Sequence, residues 1–201
     1  MACSVSSEEE NYFKIAKIVL NVIPANLREK FKIRWKDEYS SDWTDDRNSG
    51  SHFSAELSKK REVYTYPSIK DKIEAGDTKE WDCTTLFFAF RTLNLYGSDA
   101  VKSSIEKNLR SIRNEIAHTP KNELSKADYD RILCELKKTF GALYWVDGLE
   151  EIRLIDESEL ENDHFRELEQ QLITERKHME NISGIIDDHE QRISALESKY
   201  T

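Results

Sequence analysis

The sequence contains few of the residues that interrupt helices. Among its 201 residues are only 6 glycines and 3 prolines, whereas 34% of the residues are charged and 10% are aromatic. No segment alternates between apolar and polar residues with the period of two that marks a half-buried strand. This balance predicts a soluble, all-α protein without a sheet. The length leaves room for one globular domain and an extension.

Cysteines and long apolar runs are also scarce. The three cysteines are an odd number without CxxC spacing, and Cys83 and Cys134 lie in apolar helical patterns that are typical of buried free thiols. A reducing, cytoplasmic location is therefore expected. No apolar run approaches the roughly 20 residues that a membrane-spanning helix needs, and the first residues do not resemble a signal peptide. We therefore expect no membrane partner.

Sequence signals for cofactors and metals are absent as well. Neither a phosphate-binding GxxxxGK[ST] loop nor a dinucleotide-binding GxGxxG pattern occurs. The five histidines have no spacing with cysteine or aspartate that indicates a zinc site (His52, His118, His164, His178 and His189). We expect neither a cofactor nor a metal ion.

The net charge of −9 is distributed unevenly along the chain. From residue 147 to the end there are 16 acidic and 6 basic side chains, whereas the first 146 residues have 23 acidic and 24 basic ones. The first part of the chain is therefore nearly neutral. This permits a contact with RNA without arguing for one, because strong non-specific nucleic-acid binders show a basic patch.

The apolar spacing predicts a bundle of about five helices over residues 11–147, after a disordered N-terminus of residues 1–10. A dense apolar run ends at Pro24, which should stop the first helix. Asn26 and Glu29 resemble a capping box, in which two side chains satisfy the first N–H groups of a helix, and should open the second helix.

The remaining predicted elements are a loop and further helices. Residues 40–55 are rich in Ser, Asp, Asn and Gly and should form a surface loop. A short helix should end at Gly76, a central helix should follow a cap at Asp77, and another should start at Ser125. The tryptophans are better explained as core and loop anchors than as a platform for stacking RNA bases (Trp35, Trp43, Trp81 and Trp145).

One further predicted helix carries a polar group on its outer face. Between Ser98 and Pro120 the apolar residues recur every three or four positions, which predicts a helix with one core-facing stripe (Val101, Ile105, Leu109, Ile112 and Ile116). Ser98 or Asp99 can cap its start, and Pro120 should end it at or near His118. The sequence RNEIAH near its end places Arg113, Asn114 and His118 on the opposite side. Such a polar group at a helix end is expected to meet a ligand or another copy of the protein.

The last part of the chain has a different pattern. Residues 148–164 are predicted to be an acidic linker and residues 165–201 a coiled coil. Nine of eleven seam positions are apolar over about five heptads (Phe165, Leu172, Met179, Ile186, Ile193 and Tyr200 at a; Leu168, Glu175, Ile182, His189 and Leu196 at d). The alternative is a helix packed back on the bundle, but the acidic outer face favours a free-standing coil.

Three segments in order resemble a known superfamily. They are NYFKIAKIVLNVIPANLREKFKIRW, GDTKEWDCTTLFFAF and SIRNEIAHT. They are similar to HEPN domains, in particular to the animal branch named after the DAZ-interacting zinc-finger ubiquitin ligase, over about residues 10–147. The resemblance implies an all-helical bundle that dimerises and often places two copies of the motif in one cleft. Modules similar to this branch occur in nucleic-acid-related, ubiquitin-ligase and innate-immune architectures.

The resemblance also implies an activity. Active HEPN members are metal-independent endoribonucleases in which the RNA 2′-hydroxyl attacks the adjacent phosphate. By position, His118 is then the general acid or base, Arg113 stabilises the phosphate and Asn114 is an orienting polar group. Arg110, one turn earlier, is a candidate RNA-binding residue.

Geometry leaves three interpretations of the motif open. Arg113 and His118 are five residues apart, roughly 140° around a helix, so one motif cannot clamp a phosphate unaided and a facing copy would supply the other half. We therefore expect a homodimer through the bundle and the coiled coil, which raises the effective concentration of two tethered bundles. The motif is catalytic, binds RNA without cleaving it, or is structural in a self-associating scaffold whose coil recruits protein partners.

Overall fold

The computed structural model describes residues 6–60, 67–159, 167–174 and 176–177, and every regular element in these ranges is a helix. The α-helices are α1 (Ser7–Lys17), α2 (Ile23–Tyr39), α3 (Arg47–Lys59), α4 (Pro67–Ala75), α5 (Cys83–Leu93), α6 (Asp99–Ser103), α7 (Arg110–His118), α8 (Lys126–Ala142) and α9 (Val146–Glu157). Two π-helical turns (Ile18–Val22 and Ser104–Leu109) and a 3-10 turn (Thr78–Glu80) connect them. Residues 167–174, 176 and 177, here called the C-terminal segment, are also helical. The all-α prediction is confirmed for the described residues.

Helices α1 and α2 form one continuous rod through Pro24. Proline lacks an N–H and normally breaks the hydrogen-bond ladder of a helix. Here the wider π-helical turn before Pro24 compensates for its missing N–H. The Ile23 N–H donates to the Ile18 carbonyl, and Asn26 Nδ2 donates to the Val22 carbonyl at 2.8 Å. The prediction that Pro24 stops the first helix is therefore wrong.

The beginning of α1 also differs from the prediction of a disordered N-terminus. The Ser6 hydroxyl accepts a hydrogen bond from the Glu9 N–H, and the Glu9 carboxylate accepts one from the Ser6 N–H. The Leu124 N–H donates to the Glu8 carbonyl at 2.9 Å, which ties this turn to the bundle. The prediction is wrong for residues 6–10, because a capping box and a tertiary bond fix them; residues 1–5 lie outside the described ranges.

Helix α3 occupies much of the segment that was predicted to be a loop. The Asp46 carboxylate accepts a hydrogen bond from the Ser49 N–H and begins the helix. Gly50 lies so close to α4 that a Cβ there would come within 2.6 Å of the Glu74 carbonyl oxygen. The loop prediction is wrong from residue 47 onward, since the small residues serve close helix packing that overrides their low helix propensity.

Aromatic side chains fill the core around α2, α3 and α5. Phe31, Trp35, Trp43 and Trp81 are buried, with ring centroids 4.9 Å apart for Trp35–Trp43 and 5.0 Å apart for Phe31–Trp81. Trp43 Nε1 donates to the carbonyl of Gly76, the residue at which α4 ends with φ +80°. The predictions that these tryptophans are anchors and that a helix ends at Gly76 are confirmed.

The central helix begins later than predicted. Asp77 caps only the short 3-10 turn, and Asp82 caps α5 by accepting a hydrogen bond from the Thr85 N–H at 2.8 Å. Within α5, Cys83 is buried as predicted, but Cys134 on α8 is exposed. The prediction of a buried thiol is therefore wrong for Cys134, which lies on the outer side of its helix.

Helix α9 replaces most of the predicted acidic linker. Ile152 and Ile155 are buried against the bundle. Asp156 accepts a hydrogen bond from the Tyr129 hydroxyl at 2.7 Å and pairs with Lys137 at 3.0 Å. The linker prediction is wrong for residues 148–157, because their acidic residues decorate an amphipathic helix; residues 160–164 lie outside the described ranges.

The C-terminal segment packs on the bundle at the place where the coiled coil was predicted to begin. Leu168 and Leu172, both predicted seam residues, are 4% and 2% exposed and belong to the bundle core. This part of the chain follows the alternative of a helix packed back on the bundle. Residues 165, 166, 175 and 178–201 lie outside the described ranges, and their coiled coil stays a prediction.

Candidate functional site

The RNEIAH motif forms the last turns of a continuous helix that spans α6, a π-helical turn and α7. The Ser98 hydroxyl caps its start by accepting a hydrogen bond from the Val101 N–H, and His118 is its last residue, as predicted. The π-helical turn Ser104–Leu109 carries more residues per turn than an α-helix. The same apolar stripe stays buried through this turn and into α7, and Arg113, three residues before the buried Ile116, lies at the edge of that stripe.

Arg113 is only 5% exposed. Its Nη1 donates to Asn114 Oδ1 at 3.0 Å, and its Nη2 donates to the hydroxyl of Thr84 in the first turn of α5. The predicted outward orientation of Arg113 is therefore wrong. Its role as a phosphate ligand stays a prediction, and Thr84 is a partner that the sequence pattern did not single out.

Asn114 and His118 lie at the surface. Asn114 is half-buried and His118 is exposed, and their four-residue spacing places them on the same side of α7. Because Asn114 Oδ1 accepts from Arg113, the Nδ2 amino group is the part of this amide that is left to donate to a ligand. The structure thus connects Arg113 to Asn114 and Thr84, and presents the His118 imidazole to solvent.

Arg110 is half-exposed one turn before Asn114. It pairs with Glu106 at 3.1 Å, and Glu106 also accepts a hydrogen bond from the Tyr96 hydroxyl at 2.5 Å. Burial and the hydrogen bond to Glu106 raise the pKa of Tyr96, so the phenol remains a neutral donor. An RNA phosphate at this position would compete with Glu106 for the guanidinium of Arg110.

Two side chains hold the end of α7 around His118 through three hydrogen bonds. The Tyr12 hydroxyl donates to the Ile116 carbonyl at 3.1 Å. Arg176 of the C-terminal segment donates from Nε to the Ala117 carbonyl and from Nη2 to the Thr119 carbonyl, each at 2.9 Å. The last carbonyls of a helix have no partner within it, so these donors satisfy groups that flank the imidazole.

Arg176 also joins the elements around this helix end. Its Nη2 lies 2.9 Å from the Tyr12 hydroxyl and 2.7 Å from Asn122 Oδ1, which belongs to the connection between α7 and α8. Burial raises the pKa of Tyr12, against the lowering effect of the Arg176 charge. Sequence reasoning missed this role, because a single cation beside a heptad seam does not indicate which surface it binds.

Two clefts lie away from the motif. One, of about 550 Å³, is lined by the basic residues Arg34, Lys60 and Lys102. Two of these already donate to backbone carbonyls, Lys60 to that of Leu93 at 2.6 Å and Arg34 to that of Leu95 at 3.3 Å. The other, of about 440 Å³, lies between the C-terminal segment and a surface of the bundle that includes Leu20, Lys72 and Asp82. Within the described ranges no three His, Cys, Asp or Glu side chains are grouped as metal ligands.

None of the helices in the described part of the chain combines the length and apolar character that a membrane crossing demands.

The comparisons with known proteins assign no family to this chain. No protein-family model, curated protein or solved structure matches the chain.

Proposed function

We propose that this chain is an RNA-directed helical module of the HEPN type. The observation that carries the proposal is the accessible pair of Asn114 and His118 at the end of α7. An imidazole exchanges protons near neutral pH, and a neighbouring amide can hold a phosphate or a ribose hydroxyl. These are the groups that cleavage at a 2′-hydroxyl requires, and no metal is needed for it.

In this proposal the buried Arg113 acts through its hydrogen bond to Asn114. Its guanidinium donates to Asn114 Oδ1 and to Thr84, which fixes the orientation of the Asn114 amide. A direct phosphate contact would require Arg113 to leave Thr84. We therefore assign Arg113 a positioning role in the single protomer and His118 the proton transfer.

A complete cleavage site needs two motifs. One His118 removes the proton of the 2′-hydroxyl as its oxygen attacks the phosphorus atom, and the partner's His118 protonates the 5′-oxygen that leaves. The products are a 2′,3′-cyclic phosphate and a free 5′-hydroxyl. Activity is therefore proposed to belong to a homodimer and to rise more steeply than linearly with protein concentration.

Incubation with mixed single-stranded RNA in EDTA tests this proposal. We expect cyclic phosphate products from the wild type and a loss of about 100-fold or more in His118→Ala, the range found for a general acid or base. Lys121→Ala, which removes an exposed neighbouring cation, is the control and should cleave like the wild type. Thr84→Val should reduce activity less than His118→Ala, because it releases Arg113 without removing the imidazole.

One observation favours a second function, a self-associating scaffold or adaptor. Arg113, to which the resemblance assigns the phosphate, is buried against Thr84, as expected of a residue that supports the fold. In that case the C-terminal coil recruits protein partners, in an assembly of the ubiquitin-ligase or innate-immune type. Intact dimers of the wild type that neither cleave nor retard RNA would reject the RNA proposal and leave the scaffold.

A further inference from the structure

The C-terminal segment presents to the bundle the same side that the heptad pattern assigns to a coiled coil. Leu168 and Leu172 occupy a d and an a position, and both are almost completely buried in the bundle core. Ile173, at a b position, is 36% exposed. A helix with one apolar stripe can bury that stripe against only one surface at a time.

Arg176 fixes the docked position of this segment. It lies at an e position, beside the seam and not in it. Its guanidinium reaches the carbonyls of Ala117 and Thr119, the Tyr12 hydroxyl and Asn122 Oδ1. These charge-assisted bonds are specific to the docked segment, because none of the acceptors belongs to the C-terminal helix itself.

We propose that the stripe of Leu168 and Leu172 is an interaction surface shared by two occupants, the bundle of the same chain and the C-terminal helix of a second copy. Docking through Arg176 then opposes dimerisation. The second copy is the expected occupant because the apolar heptads continue beyond the docked segment to Tyr200. This inference rests on the coiled coil of the proposed function but not on its RNA chemistry.

Exchange between the two occupants would change the candidate site. When the segment leaves the bundle, the Ala117 and Thr119 carbonyls lose the donors that flank His118. The Tyr12 hydroxyl loses one of its two partners and keeps the Ile116 carbonyl. Assembly of the coil and exposure of the end of α7 are therefore coupled.

The oligomeric state of the full chain, measured by sedimentation equilibrium, tests the proposal. Arg176→Ala removes the docking bonds and leaves the seam intact, so it should lower the dimer dissociation constant by about tenfold. Tyr12→Phe removes one acceptor of Arg176 and should act in the same direction by a smaller factor. Lys177→Ala, an exposed neighbour, is the matched control and should behave like the wild type.

A second substitution identifies the surface through which the dimer forms. Adding Ile186→Asp, a charge at a predicted seam position, should return Arg176→Ala to the monomer. A wild type that dimerises through Ile186 and is unaffected by Arg176→Ala would overturn the shared surface but leave the coil. Dimers that survive Ile186→Asp, or no dimer in any folded variant, would overturn both the shared surface and the coil. RNA cleavage is scored separately.

Discussion

Two regions of the bundle are stabilised in different ways. Around α2, α3 and α5, buried rings such as Phe31, Trp43 and Trp81 pack on one another over many contacts. At the end of α7, hydrogen bonds from Tyr12 and Arg176 hold the chain around an exposed imidazole. The aromatic region supplies stability that no single polar group controls, whereas the end of α7 is held by a few hydrogen bonds.

Trp81→Ala, in the aromatic region, should cause the largest loss of stability. Its side chain is fully buried, lies 5.3 Å from Trp43 between ring centroids, and donates from Nε1 to the Lys72 carbonyl at 3.0 Å. Removing it leaves a large cavity, so the free energy of unfolding should fall by about 3–5 kcal/mol. Urea denaturation measures this, and a loss below about 1 kcal/mol would show that this core is not the main source of stability.

Gly50→Ala should disturb the packing of α3 against α4. The added Cβ would meet the backbone of Glu74, which cannot rotate away, so we expect a loss of about 1–3 kcal/mol. Gly141→Ala is the matched control, because nothing lies within 4 Å of a Cβ on its exposed side of α8. That change should stabilise the protein by about 0.5–1 kcal/mol, and equal effects of both substitutions would contradict the packing described here.

Acid should weaken the polar contacts between α8 and α9. Burial would raise the pKa of Asp156, but hydrogen bonds from Tyr129 and Lys137 outweigh it and lower the pKa. An aspartate with a lowered pKa stabilises the fold above its unfolded value near 4, and this contribution is lost as pH falls through the folded value. Asp156→Asn should therefore cost about 1 kcal/mol at pH 7 and little below pH 3, as measured by urea denaturation at both pH values.

Tyr144→Gly should have the smallest effect of these substitutions and should stabilise the protein. Tyr144 ends α8 in the left-handed region, with φ +58° and 88% of its surface exposed. The Trp145 N–H reaches back to the Phe140 carbonyl at 3.0 Å, and the two rings pack 5.0 Å apart, as in a Schellman motif. Glycine avoids the left-handed penalty, so thermal unfolding should show a gain of about 0.5–1 kcal/mol; a loss would mean that the exposed ring itself contributes to stability.

Local signals predicted the helix ends best. The caps at Ser98 and Ser125, the C-terminal glycine at Gly76 and the end of a helix at His118 all agree with the structure. Each of these depends on a few neighbouring residues. The sequence did not predict helix α3, because Gly50 is required for the close packing of α3 on α4, and no local pattern reveals that contact.

The candidate site was predictable in composition but not in orientation. His118 lies at the surface as its position in the motif suggests, whereas Arg113 lies at the edge of the apolar stripe and its side chain turns inward to Thr84. Leu168 and Leu172 were recognised as a buried stripe, yet hydrophobic spacing does not say against which surface a stripe is buried. Arg176 became interpretable only once its four acceptors were known.

The most direct test of the account asks whether RNA contacts the protein, and at which surface. A titration of the isotope-labelled full chain with a short single-stranded RNA should shift the resonances of the Asn114 amide, the His118 imidazole and the neighbouring Arg110 most strongly. The indole signals of the buried Trp35 and Trp43 in the aromatic region should remain in place. Shifts centred on another surface, or none at saturating RNA, would contradict the central claim that the exposed end of α7 is an RNA site.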